Sequence, residues 1–596
     1  MKKKKKPSLL LSLGVAALLI GGGAATYWVL VQKQRVLGLP PGANLIPKDA
    51  SIALSVSTDT NQWQQLRSFG TPQTQAAFAK TLAQLRDRFL SANGYNYQRD
   101  IQPWAGKEIT FAYLPTQQTN PTQSSSTLTP HTTNSNQQSV VMILPIDNPL
   151  QAKQALEPTN SPLQQGKWIS RTYKGIEIKE TKTGDALNIA STQYSATVLD
   201  RRFLVVTTSP KATERIIDTF GSNESLANTP GFREALGKIE TERPFARLFI
   251  NVPVAAAAAI NSQPQLPSPQ KLAQIQQQGL AATMTIKPEG LLFQTISWLQ
   301  PNSDKKYAVK NEAGTMYKRL PANTLMMMSG GNLQRFWQDY IQDAQSNPLT
   351  PFKPEQIRSS VKKFTNLDLE KDLLSWMGGE FSLSLVPLPQ DNSNAGENQP
   401  TANPAPGLIF MVKASDRAAA ETTLQQLDQV MIAQNNFKVE KTNIGNNPVT
   451  NWIAPDRELT ITQGWLDENV AFLALGGGVT NTIIPQPKTT LVQSDRFRNT
   501  VPLELKSNNG HFYLDVERLG IDSTARFLTF LFQLSTDPNT QKTLTNQLLP
   551  IRGIGVTAAV SDERSTGLDI FVSLKKAGVP KPLPSPTPER FSQPSL

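Results

Sequence analysis

The chain reads as an α+β protein: one N-terminal transmembrane helix, then two tandem copies of a mainly antiparallel sheet-plus-helices domain. Three observations predict this. One long uncharged apolar stretch lies near the start. Apolar strands follow one another through short turns, which favours antiparallel pairing with helices packed against the sheet. An ordered set of short motifs also occurs twice, about 264 to 279 residues apart.

Lys2–Lys6 form a basic cluster, and Leu9–Val31 then run 23 residues without a charge. At 1.5 Å per residue that is about 34 Å, enough to cross a hydrocarbon core of about 30 Å. Tyr27 and Trp28 sit where aromatic rings favour the interface, and the lysines mark the cytoplasmic side. Gly23-Ala24-Ala25 offers a competing signal-peptidase site, but the apolar run continues past it, which favours a retained anchor. Residues 1–37 are therefore anchor, 38–302 a first copy, 303–575 a second copy and 576–596 a Pro-rich extended tail. The body is expected in the periplasm or a thylakoid lumen.

Within each copy, Leu45-Ile46-Pro47-Lys48-Asp49-Ala50 matches Arg319-Leu320-Pro321-Ala322-Asn323-Thr324. A helix follows in each, with stripes Phe78, Leu82, Leu85 and Ile357, Val361, Phe364 expected to be buried. The clearest match is Trp104-Ala105-Gly106-Lys107-Glu108 with Trp376-Met377-Gly378-Gly379-Glu380, each opening a strand of alternating apolar residues that ends at Pro115 or Pro387. Polar loops 116–138 and 390–406 follow; their composition predicts disorder. Strands at 140–144 and 408–412 come next, with helices beginning near Pro149 and Asp416. Later pairs keep the order: Phe203–Val206 with Val470–Leu475, Pro230–Arg233 with Asp495–Arg498, Arg247–Val252 with His511–Val516, and Gly279–Ile286 with Gly553–Val560. Ala255–Ala259 is helix-compatible and too short to span a membrane.

The lysine-flanked anchor, the Leu45–Leu54 opening and the Trp-x-Gly-x-Glu element resemble a largely cyanobacterial family, domain of unknown function 3352. The resemblance implies location and architecture and a photosynthetic bacterial source. It brings no activity, cofactor or catalytic residue.

Composition narrows the chemistry. The formal charge is +12, of which Lys2–Lys6 supply five, and no other long basic run exists to face phosphates. Nucleic-acid binding is therefore not expected. With no cysteine, disulfides, thiolate metal sites and cysteine nucleophiles are excluded, and the only histidines are His131 and His511. No metal, cofactor or catalytic residue is assigned. Ser359-Ser360-Val361-Lys362 and Lys182-Thr183-Gly184 imitate β-lactam-enzyme motifs in reversed order and in different copies, so chance accounts for them. The glycine clusters 476–478 and 553–555 lack the phosphate-loop spacing and read as turns or close strand contacts. Asp200-Arg201-Arg202 and Asp562-Glu563-Arg564 read as solvated turns, and His511 as a surface or satisfied histidine.

Trp104, Glu108, Trp376 and Glu380 are the candidate binding residues, with tryptophan as platform and glutamate as polar contact. The bland alternative has tryptophan capping a core, glycine making a tight turn and glutamate opening an exposed strand edge. The expected function is that of a non-enzymatic binding or assembly protein of the cell envelope or thylakoid, tethered to the bilayer through Leu9–Val31, with an envelope protein or ligand as partner. The alternatives are an envelope hydrolase, or a lipid or pigment carrier built round an apolar cavity.

Overall fold

The computed structural model describes residues 39–89, 96–115, 139–156, 168–181, 194–239, 243–260, 277–346, 352–388, 406–502, 507–531 and 536–584. The stretch Leu9–Val31, both polar loops except residue 406, His131 and the last twelve residues lie outside them. Among the described residues no helix is long and apolar enough to cross a membrane. The chain divides into two compact units, residues 1–305 with 576–596, and residues 306–575.

Each unit is an antiparallel sheet with helices, the architecture that alternating strands joined by short turns impose. Unit 1 contains β1 (Ile52–Ser57), β2 (Glu108–Leu114), β3 (Ser139–Pro145), β4 (Trp168–Tyr173), β5 (Ile176–Thr181), β6 (Ser195–Leu199), β7 (Phe203–Thr207), β8 (Ala246–Asn251), β9 (Gln277–Lys287) and β10 (Gly290–Leu299). Their spatial order is β10-β9-β8-β1-β2-β3-β7-β6-β5-β4, antiparallel throughout. Two of the hairpins turn through paired left-handed residues, Lys174-Gly175 (φ 49° and 80°) and Asp200-Arg201 (φ 50° and 51°). That geometry matches the right-handed strand twist.

Unit 2 contains β11 (Met326–Gly330), β12 (Phe381–Val386), β13 (Gly407–Lys413), β14 (Lys438–Ile444), β15 (Asn447–Ile453), β16 (Thr460–Trp465), β17 (Val470–Leu475), β18 (Gly510–Leu514), β19 (Ile551–Asp562) and β20 (Ser565–Leu574). Its order is β20-β19-β18-β11-β12-β13-β17-β16-β15-β14. Shifted by ten, the two orders are the same. Loop contacts repeat as well: Leu226 N donates to Ile46 O at 2.7 Å, and Leu491 N to Leu320 O at 2.8 Å.

The core of unit 1 lies on one sheet face, where Val141, Ala112, Ala53, Phe249, Ala281 and Ile296 form one cross-strand row. Residues 39–50, helix Pro210–Thr219 and helix Phe232–Gly237 supply Leu45, Ile46, Ile216 and Phe232 to the same cluster. Trp298 stacks on Phe232 at 6.2 Å. In unit 2 the matching cluster holds Met327, Ile409, Met411, Phe497 and Tyr513. Tyr317 takes the stacking place on Phe497, at 5.9 Å. A second cluster packs Phe381, Val412 and Ala471 with Trp376 and Ala420, the latter from helix Arg417–Ala433.

Two expectations change. The stripe in helix Pro354–Thr365 is only half-buried, and Phe364 is exposed. The helix ends at Asn366 in a left-handed conformation (φ 55°), and Leu367 beyond that cap takes the buried place. The start of the tail lies along unit 1: Phe69 bridges Lys576, and the Arg86 guanidinium donates to the Pro584 carbonyl at 2.8 Å.

Candidate functional site

The repeated Trp-x-Gly-x-Glu element is preceded in each unit by a π-helix, Tyr97–Ile101 and Leu369–Leu373. Such turns are rare and frequently sit at functional sites. Their capping is the same. Asn96 and Asp368 accept backbone N–H bonds as N-caps, and in return their own N–H groups donate to Asp100 and Asp372, both at 2.6 Å. Asn96-Tyr-Gln-Arg-Asp-Ile101 and Asp368-Leu-Glu-Lys-Asp-Leu373 repeat at the offset of the tryptophans. That signal extends the motif upstream and was available in the sequence.

Both tryptophans are 2% exposed, so neither offers a surface platform. The reason is packing: each ring follows its π-helix directly into the interior. Trp104 Nε1 donates to Asp100 O at 2.7 Å, while Trp376 Nε1 is buried without a partner. At Gly378 a Cβ would lie 2.8 Å from the rotatable Ser415 Oγ, whereas at Gly379 it would lie 2.6 Å from the Lys413 carbonyl, so backbone approach demands glycine at the second position. The glutamates do not stand at a sheet edge. β2 lies between β1 and β3, and β12 between β11 and β13.

Glu108 shares a sheet face with the cross-strand row Thr110, Ser55 and Arg247, by the two-residue strand period. Arg247 of β8 donates to Glu108 Oε1, and Ser55 Oγ donates to Oε2 at 2.9 Å. The pair is partly shielded, with Glu108 19% and Arg247 16% exposed. In unit 2 the same row reads Ser382, Ser329 and His511.

Glu380 is 6% exposed, and a strap entering unit 2 saturates it. Gly314 N and Thr315 N donate to Oε1 at 2.7 Å each, Met316 N at 3.0 Å, and Thr315 Oγ1 donates to Oε2. A buried carboxylate is tolerated when charge-assisted donors surround it.

His511 is neither a surface histidine nor a fully satisfied one. It is 3% exposed, and Thr557 Oγ1 lies 2.9 Å from Nδ1. Because the Thr557 hydroxyl donates to the Pro502 carbonyl, Nδ1 carries the proton and Nε2 is the bare nitrogen. Nε2 is buried without a partner. Burial lowers the imidazole pKa to about 4, opposed by the nearby Glu380 charge. Gly510 beside it has φ 139°, and a Cβ there would fall 2.0 Å from Ser329 O.

Of the remaining motifs, Lys182-Thr183-Gly184 lies outside the described residues, and Ser359-Ser360-Val361-Lys362 is solvated. Ser359 Oγ donates to Gln356 O at 3.0 Å, and Lys362 Nζ to Asn366 O at 2.9 Å, both on an exposed face. Gly555 belongs to a strand, where a Cβ would meet Thr500 O at 2.1 Å. Among the described residues no group of three or more His, Asp or Glu side chains is placed to hold a metal. A shallow depression of about 350 Å³ lies beside the second π-helix, lined by Leu367, Asp372, Gln426, Val430 and Ala433 among others.

The sequence matches the family described as Protein of unknown function (DUF3352) over residues 12–574. The chain belongs to that family. DUF3352 membership thus covers both units and every residue of the site. No curated protein matches the chain. Among solved structures, the chain is similar to TP0453 in crystal form III, at 11% identity and a TM-score of 0.23, covering 44% of this chain and 80% of that one. Crystal form I of TP0453 is similar at 12% identity and the same TM-score, covering 45% and 82%.

Proposed function

We propose that this DUF3352 protein is a single-pass membrane protein whose body, two tandem copies of one domain, acts outside the cytoplasm as a binding or assembly factor of the cell envelope or thylakoid. One observation carries the duplication: ten strands in the same order in each unit, with matching loop hydrogen bonds and matching π-helices. Two like surfaces on one tethered chain suit bivalent binding, in which a second contact gains from the effective concentration set by the first.

The anchor rests on the uncharged stretch Leu9–Val31 behind five lysines. Binding is favoured over catalysis because the recurring carboxylates are already engaged, Glu380 by four donors and Glu108 by two. Partner contact therefore belongs to other parts of each unit's surface.

Two experiments test this reading. Alkaline extraction of membranes should leave the full chain in the pellet, and protease added to sealed right-side-out vesicles should digest the body from outside. Release into the supernatant, or digestion only from the cytoplasmic face, defeats it. In cells, crosslinking of the full chain should yield discrete adducts with envelope components. Absence of any adduct, together with hydrolytic turnover abolished by one substitution, would install a hydrolase in its place.

A further inference from the structure

The run Val579-Pro-Lys-Pro-Leu-Pro584 alternates proline with other residues. Each proline fixes its own φ near about −65° and bars the residue before it from the helical region. Local sterics therefore hold the whole run close to polyproline II before any tertiary contact forms. Pro580, Pro582 and Pro584 have no N–H, so the run cannot extend a sheet, and its carbonyls stay open to outside donors.

From Lys576 onwards the chain groups with unit 1. Lys576 bridges Phe69 and pairs its Nζ with Glu289 at 2.9 Å, and Ala577 N donates to Ser68 O at 3.2 Å. Gly578, at φ 89°, then turns the chain out of that backbone pairing. Beyond it Arg67, from helix Thr60–Ser68, donates to the Lys581 carbonyl. Arg86, from helix Pro72–Phe89, donates to the Pro584 carbonyl at 2.8 Å, while Asp87 holds the same guanidinium at 2.8 Å. Residues 581 and 584 are one polyproline II turn apart, so their carbonyls face the same side at a separation of about 9 Å. Exposure keeps the same period: Pro580 and Leu583 are half-buried, whereas Lys581 and Pro584 are exposed.

We propose that these two helices form a binding site for proline-rich segments in the polyproline II conformation. Arg67 and Arg86 read carbonyls three residues apart, and residues 579–584 are the resident ligand in cis. A proline-rich segment of a partner protein enters by displacing them. Few and largely exposed hydrogen bonds hold the tail, so its attachment to the chain, which keeps its local concentration high, supplies most of its advantage. Because the guanidinium groups contact backbone, the site selects conformation over side-chain identity. Unit 2 has no equivalent: the alignment of Trp63 with Trp337 puts Ile341 in place of Arg67, and that of Phe78 with Ile357 puts Thr365 in place of Arg86. The site goes beyond the membrane-anchor reading and does not depend on it, so its failure leaves that reading standing.

The full chain, purified in detergent, is titrated against a fluorescein-labelled peptide of residues 576–584 and followed by anisotropy. Changing Pro580, Pro582 and Pro584 together to glycine in the chain releases the tail and should tighten peptide binding about tenfold. In that background Arg67→Ala with Arg86→Ala should abolish binding. A peptide with the same three prolines changed to glycine should not bind, a control that needs no altered protein. No binding to the released-tail chain overturns the site. Equal binding by the arginine double variant, or of the glycine peptide, overturns the recognition of polyproline II by these arginines. Equal affinity in the parent and released-tail chains overturns the tail as resident ligand.

Discussion

Glu108 and Glu380 open equivalent strands in two sheets of the same order, yet different parts of the chain hold them. Counting back from the matching Pro47 and Pro321, the strap residues Gly314, Thr315 and Met316 correspond to Pro40, Pro41 and Gly42. In unit 2 all three strap residues donate a backbone N–H to the carboxylate. In unit 1 two of the three are prolines and have no N–H to give. The strap passes close there as well, since Thr110 Oγ1 donates to the Pro41 carbonyl at 2.7 Å, but it offers an acceptor. Unit 1 instead places Arg247 where unit 2 has His511, and the guanidinium supplies the donor. A buried carboxylate must be met by donors. When a backbone source disappears, a charged side chain from the neighbouring strand takes its place. With the strap supplying the donors, unit 2 holds an uncharged imidazole in that position.

Hydrogen exchange of the β12 and β2 amides measures the stability of each unit separately. The largest effect is expected from Glu380→Ala, which strands three inward-facing N–H groups and should cost about 3–5 kcal/mol in β12. Glu108→Ala, at a partly exposed pair, should cost about 1–2 kcal/mol in β2. Equal losses would refute the distinction.

Acid should act on unit 2 through His511. His511 titrates at about 4 in the fold, and at about 6.5 when unfolded. Between those values the unfolded chain binds the extra proton. The histidine's contribution is therefore fully present above pH about 6.5, declines as pH falls through the window, and is constant below about 4. The loss is at most about 3 kcal/mol. His511→Gln should flatten this component relative to the parent chain in the same pH series, and an unchanged slope would remove His511 from the account.

A double-mutant cycle of Glu108→Ala with Arg247→Ala should show coupling of about 1 kcal/mol. The smallest change is expected from Thr315→Val, which removes one donor while three remain, at about 1 kcal/mol. A loss as large as that of Glu380→Ala would mean that the hydroxyl, rather than the three amides, dominates the clasp.

Much of this was legible from residues alone. Strand alternation after Trp-x-Gly-x-Glu located β2 and β12, and proline marked their ends. The turns at Asp200-Arg201 and Glu563-Arg564 were marked by charged clusters between apolar runs. The fate of the candidate site was not legible. Trp104 and Trp376 look alike as platforms or as core, because an indole suits both and only its neighbours decide. A stripe such as Ile357, Val361, Phe364 gives direction around a helix, but not how far a sheet reaches to cover it.

Residue type and spacing along the chain set the local order of elements, the repetition of motifs and the absence of thiol chemistry. Tertiary structure alone decided which donors reach each glutamate. Glu380 is met by residues 64 to 66 positions earlier, and Glu108 by one 139 positions later. Sheet pairing creates those contacts by bringing distant segments within 3 Å, and no local pattern records which of several polar side chains will face inward.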